Sequence, residues 1–317
     1  MLDLARLQRI HLRRVPPGQL LMAALLGLDY RFPRRTEIVV EGIDRIPRDR
    51  TVFLAMNHTD RYNYWPMQYA MHRQGIGYTA TWVKGKYYQN RAMAWFMDQT
   101  GNIPLPSRGY VVATASQAAL GRPPDEAEYR VLRDLVDERE VGEVPASLQA
   151  LFEAAGGREA WAEAERRRFA AMMQEVMRIT AEGMARGLHI LVFPQGTRSK
   201  RLSRGLTGMM QAAQHLGAAI LPIGCNGSDR VYPGNSPSAK GGRIVYRVGE
   251  VMELDGPELG PHRIVEPFVP FTVEASRRHG QALQAATDRV MDRIELLLDP
   301  EYQRGESDGV QGVERFV

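Results

Sequence analysis

The sequence predicts an α/β fold, a single domain with a mainly parallel sheet flanked by helices. Three observations carry this. Short, almost wholly apolar runs at 51–56, 188–193 and 218–223 have the composition of strands covered on both faces. Longer segments at 169–187 and 273–298 repeat apolar residues three or four apart and alternate with those runs. No Pro/Ser/Gly-rich linker divides the 317 residues, so the chain is expected to fold as one domain.

In chain order, residues 37–40 and 51–56 read as strands joined by a turn-rich connection, and 78–83 as a third. Residues 101–108 read as a rigid turn. In 169–187, Phe169, Met172, Met173, Val176, Met177 and Met184 line one face, and Gly187 supplies the stop. Strands follow at 188–193 and 218–223. Residues 243–253 read as one strand broken near Gly249, or as a strand pair, and 273–298 as a C-terminal helix. Residues 122–168 hold twelve acidic and eight basic side chains with few aromatics, and read as exposed helices. The expected organisation is a membrane-associating segment at 1–35, a catalytic domain at 36–300 with a helical insertion at about 110–168, and a disordered tail at 301–317.

Charge is concentrated at one end. Residues 1–35 carry Arg6, Arg9, Arg13, Arg14, Arg31, Arg34 and Arg35 against Asp3 and Asp29. That segment is at +5 and the remainder at −1, within a total of +4. Arginines beside apolar residues fit an anionic lipid surface, and they also fit a solvated arm. No RNA- or DNA-binding motif accompanies them, so nucleic acid is not an expected partner. The longest apolar run, 20–28, is shorter than the roughly 18 residues of a spanning helix. The expectation is a pair of interfacial helices on the cytoplasmic face of a membrane, peripherally bound. The single cysteine, Cys225, permits no internal disulfide and fits a reducing compartment. The remaining histidines show no metal-ligand spacing, so no metal is expected.

Four segments carry candidate chemistry. Asn57-His58 directly follows a buried strand, where α/β sheets place their ligands. Residues 101–108 end in Arg108. Phe193-Pro194-Gln195-Gly196-Thr197-Arg198-Ser199 follows a second buried strand, and Leu221-Pro222-Ile223 closes a third. In this order the four blocks resemble the motifs of the glycerol-3-phosphate and 1-acylglycerol-3-phosphate acyltransferases. That family's first motif is Asn-His, four residues and Asp. Its second is of a Gly-x-Ile-x-x-x-Arg type, its third is Phe-Pro-Glu-Gly-Thr-Arg-Ser, and its fourth centres on a proline at a strand end. The resemblance spans about residues 37–298 and includes Lys84, at the place of a lysine common in the family.

The resemblance implies an acyltransferase in which His58 takes the proton of an acceptor hydroxyl as it attacks an acyl-CoA or acyl carrier protein thioester. No cofactor beyond that co-substrate is implied. Arg108 and Arg198 would grip an acceptor phosphate, with Gln195, Gly196, Thr197, Ser199 and Pro222 completing the substrate site. The chain departs from the family twice. Asn63 stands where the family has Asp, and Gln195 where it has Glu. Both exchanges keep side-chain shape and remove a charge, so restoring the carboxylates is expected to leave packing intact. An amide can hold the histidine tautomer but supplies no counter-charge to an imidazolium; in a serine protease the equivalent change costs about 10⁴ in rate. Asp60 is the candidate substitute for the lost carboxylate. Two other functions follow if the departures are decisive: transfer to a different acceptor, or lipid, thioester or protein binding without turnover.

Overall fold

The computed structural model describes residues 2–305. Helices α1 (Leu4–Gln8) and α2 (Pro17–Asp29) precede strands β1 (Thr36–Glu41) and β2 (Phe53–Met56). Then come α3 (Trp65–Arg73), β3 (Thr79–Lys84), α4 (Arg91–Gln99) and β4 (Asn102–Leu105). Four helices follow: α5 (Arg108–Leu120), α6 (Glu126–Val136), α7 (Gln149–Ala154) and α8 (Arg158–Ala185). The chain continues through β5 (His189–Val192), α9 (Gly208–Leu216), β6 (Ile220–Asn226), α10 (Ser228–Val231), β7 (Gly242–Val248) and α11 (Val273–Glu295).

The seven strands form one sheet in the order β1-β7-β6-β2-β5-β3-β4. Five of them, β6, β2, β5, β3 and β4, are mutually parallel. β7 is antiparallel to β6 and β1 is parallel to β7, so this pair runs the other way. The apolar runs become the centre: every residue of β2, β5 and β6 is buried, as a sheet covered on both faces requires. The predicted α/β class is therefore observed. Because β6, β2 and β5 are adjacent and parallel, their C-terminal ends deliver residues 226, 57 and 193 to one edge of the sheet. That adjacency assembles the site from three distant stretches of chain.

Four expectations need correction. Residues 101–108 are not a turn alone: Asn102–Leu105 is an edge strand pairing only with β3, where Pro104 costs no interior ladder bond. Residues 1–35 do not behave as one peripheral segment. Leu2, Leu7, Ile10 and Leu12 are buried in the main core, Arg6 is ion-paired with Asp98, and Arg178 and Arg186 donate to backbone carbonyls of residues 7, 10 and 12. The insertion is not merely a set of exposed helices. Val131, Leu132, Leu135, Leu151, Phe152 and Trp161 form a core of their own, joined by Val112 of α5. Glu128 fastens it: Asp125 caps α6 through a reciprocal box, Arg122 donates two bonds to the Glu128 carboxylate at 2.6 and 2.7 Å, and Ser147 adds a third at 2.5 Å. Hydrogen bonding to Arg122 draws the Glu128 pKa down to about 2. Finally, Tyr302 is buried, accepts a bond from Gly227 N and donates to Asp229. Residues 301–305 thus belong to the fold, and the rest of the expected tail lies outside the described residues.

Candidate active site

His58 leaves the end of β2 half-buried, with its ring stacked on Phe193 from the end of β5 (centroids 4.0 Å apart, planes 16° apart). Its Nδ1 lies 3.2 Å from Asn63 Oδ1. The amide's orientation follows from its other end, because Asn63 Nδ2 donates to the Asn57 carbonyl at 2.8 Å. Turning the amide over would set oxygen against oxygen there. Oδ1 therefore faces the ring, Nδ1 carries the proton, and Nε2 keeps its lone pair. Asn63 is fully buried, and its own carbonyl accepts from the Tyr246 hydroxyl at 2.5 Å.

Asn57 ties β2 to β6 with two bonds: Cys225 N donates to its Oδ1 at 2.7 Å, and its Nδ2 donates to the Cys225 carbonyl at 2.9 Å. Gln195 locks the third-block loop onto the histidine. His58 N donates to Gln195 Oε1 at 3.0 Å, while Gln195 Nε2 donates to Ser203 Oγ at 3.2 Å and faces the Arg201 carbonyl at 3.4 Å. Ser199 N returns a bond to the His58 carbonyl at 2.9 Å. Gly196, at φ 65°, makes the turn that presents Thr197 and Arg198.

Both amides thus use their NH₂ groups on oxygen acceptors. This overturns the expectation that carboxylates would fit without penalty. A carboxylate at position 63 would face the Asn57 carbonyl, and one at 195 would face the Arg201 carbonyl.

Electrostatics keep the ring neutral. Burial lowers the His58 pKa to about 3; the Asn63 bond opposes this, and Arg198 and Lys84 add to it. Asp60 does not serve as the missing carboxylate. Its oxygens accept from Tyr62 N at 2.8 Å and Thr59 Oγ at 3.0 Å, and it makes no bond to the His58 ring.

The structure separates the two arginines. Arg198 projects, exposed, beside His58. Arg108 begins α5 beyond β4, three strands from β2, or about 14 Å across the sheet. There it donates to Asp137 at 3.1 Å and to the Phe271 carbonyl at 2.9 Å, with Phe169 beneath it. The insertion holds this guanidinium. Pro222 lies buried inside β6, paired with Ala55, and its carbonyl accepts from Gly249 N at 2.9 Å; it packs the sheet and does not border the histidine.

Several residues were given no role of their own from sequence. Phe193, Tyr246 and Asn57 hold the histidine assembly, and Asn57's place in the first block was the available signal. Arg61 had none, since it occupies a spacer position. With Thr59, Asp60, Thr197, Arg198 and Asp229 it lines a cavity of about 360 Å³ that opens one residue beyond His58.

No family model and no curated protein matches the chain. Among solved structures, the crystal structure of the 1-acyl-sn-glycerophosphate (LPA) acyltransferase PlsC from Thermotoga maritima is similar at 14% identity and a TM-score of 0.40. The match covers 92% of this chain and 80% of that one, a likeness too slight to assign a function.

Proposed function

We propose that the chain transfers an acyl group from a coenzyme A or carrier-protein thioester to a hydroxyl of a glycerophosphate-like acceptor. The observation that carries this is the fixed tautomer of His58. A neutral imidazole, with Nδ1–H held by Asn63 and Nε2 unbonded among the described residues, stands beside Arg198 at the end of the central strand. In the reaction, Nε2 takes the acceptor's hydroxyl proton as the oxygen attacks the thioester carbonyl. The tetrahedral intermediate collapses, the C–S bond breaks, and the imidazolium returns the proton to the departing thiolate. No acyl-enzyme forms. Arg198 and Lys84 contribute positive potential for the developing oxyanion. An anionic acceptor group at Arg198 also cancels part of the field that suppresses His58 protonation, so binding raises the basicity the step needs.

Access to a lipid acceptor comes from the N-terminal region. α2 leaves Leu21, Leu25 and Leu28 exposed, followed by Phe32, and α4, which packs on α2, leaves Trp95 exposed. Arg13, Arg14, Arg31, Arg34 and Arg35 are exposed around them. Apolar side chains bordered by arginines suit an anionic bilayer surface. Among the described residues no helix is long and apolar enough to cross a membrane.

The missing carboxylate favours a second reading, binding without turnover, because the imidazolium has no counter-charge from residue 63. Incubating the full chain with isotope-labelled acyl-CoA or acyl carrier protein and a panel of lysolipid acceptors, read by mass spectrometry, decides. Labelled diacyl product supports transfer. Thioester or lipid binding with no product from any acceptor supports the second reading.

A further inference from the structure

We propose that the cavity beyond His58 is a headgroup site for a zwitterion, a phosphodiester bearing an amine, with Arg61 and Arg198 holding the phosphate and Asp229 the ammonium. The idea deepens the acyl-transfer reading and rests on it for the acceptor being a lysolipid.

Four charged residues line the cavity: Arg61, Arg198, Asp60 and Asp229. Among the described residues none of them is within ion-pair distance of an opposite charge, although charged neighbours such as Arg230 and Lys200 are paired with Glu301. Arg61 Nε is buried and has no hydrogen-bond partner. A guanidinium that has neither counter-charge nor acceptor for its buried nitrogen is suited to take an anion in the cavity it lines. Arg108, the guanidinium first expected at the acceptor phosphate, is engaged by Asp137 and Phe271, and the geometry gives its task to Arg61.

The carboxylates decide the headgroup. The two aspartates and two arginines sum to no net charge, so a phosphate monoester dianion would meet two carboxylates with its charge only partly balanced. A zwitterion matches the lining at both ends. Asp60 is capped by Tyr62 N and Thr59 and contributes only its field. Asp229 accepts from the Tyr302 hydroxyl through Oδ1 at 2.7 Å, and its other oxygen is available. The far wall is braced, since the Tyr62 hydroxyl donates to the Asn235 carbonyl at 2.6 Å. A volume of about 360 Å³ suits a polar headgroup and leaves the acyl chain outside.

The test is calorimetric titration of the full chain with two soluble probes, sn-glycero-3-phosphoethanolamine and sn-glycerol 3-phosphate, which needs no turnover. The ethanolamine probe is expected to bind at least fivefold tighter. Arg61→Ala should weaken both probes about tenfold. Asp229→Asn, which keeps an acceptor for Tyr302, should weaken only the ethanolamine probe and bring the two level. Thermal unfolding of each variant checks the fold, and Arg61→Lys provides a second reading of the arginine. Equal or reversed preference, no binding of either probe at millimolar concentration, or indifference to both substitutions would overturn the proposal. A chain that binds the ethanolamine probe as stated but acylates nothing refutes the transfer reading alone. One that acylates lysophosphatidate and prefers glycerol 3-phosphate refutes the headgroup assignment alone.

Discussion

Asn63→Asp is the most informative single change, because shape and local bonding give opposite expectations for it. The substitution replaces an NH₂ group that donates to the Asn57 carbonyl at 2.8 Å with an oxygen, in a position with no solvent exposure. The Asn57 carbonyl loses its donor and gains a repulsive neighbour, and the new carboxylate loses water. An unsatisfied buried polar group costs about 1–3 kcal/mol, and a buried charge costs several more unless it is paired. Pairing with His58 recovers part of this. The net expectation is a loss of about 2–4 kcal/mol, or on the order of 3–6 °C in Tm for a chain of this length. The same charge favours the imidazolium, so the His58 pKa should rise from about 3 by at least one to three units. Differential scanning calorimetry reads the first effect and NMR titration of the ring protons the second. A variant as stable as the wild type, with an unchanged His58 titration, would refute the account of why an amide stands here.

Other perturbations follow from the same structure. Arg198→Ala should raise the acceptor KM roughly tenfold to a hundredfold with little effect on the donor KM, as loss of a charge-assisted bond predicts. Arg108→Ala should instead lower Tm, since it leaves the Phe271 carbonyl without its donor and takes one of the arginines from Asp137, which keeps Arg133, while steady-state kinetics show the acceptor KM within about twofold. Leu21→Asp with Leu25→Asp should reduce sedimentation with anionic vesicles severalfold and leave the fold intact, whereas deleting residues 1–35 should give insoluble protein. The deletion removes the buried side chains of Leu2, Leu7, Ile10, Leu12 and Leu26, worth about 2 kcal/mol each, a large share of a typical domain's stability. Acid should destabilise the chain: native His58 and His189 titrate near 3 and 4, below the 6.5 of an unfolded histidine. The unfolded chain therefore binds more protons between those values, and stability present above about pH 6.5 is lost as pH falls. Urea midpoints measured from pH 7 to pH 5 should decline, and His58→Gln should flatten that slope.

The strands and the histidine were legible because their signals are local. An unbroken apolar run such as Phe53–Met56 means burial on two faces wherever it lies in the sheet. The third block, a glycine turn after such a run, marks a loop at a strand end. Sheet order was not legible, and it determines which blocks meet: β5 and β6 flank β2, whereas β4 stands three strands away. The Arg108–Asp137 pair joins residues 29 apart through the insertion's own core, with no local pattern to announce it. The burial of α1 is likewise tertiary, since five helical residues among arginines resemble a surface arm until Leu7 and Leu12 are seen inside. Edge strand Asn102–Leu105 was hidden by its proline and short length.

The central claim is that His58 removes the acceptor proton directly, as a neutral base held by an amide. It is tested most directly by acyl transfer from labelled acyl-CoA to a lysoglycerophospholipid at pH 7.5, comparing wild type with His58→Ala of equal thermal stability. General-base catalysis contributes about 10²–10⁴, so the wild type should release one thiol per ester formed and the variant should fall at least a hundredfold. A folded His58→Ala protein that keeps a tenth of the wild-type rate would contradict the account.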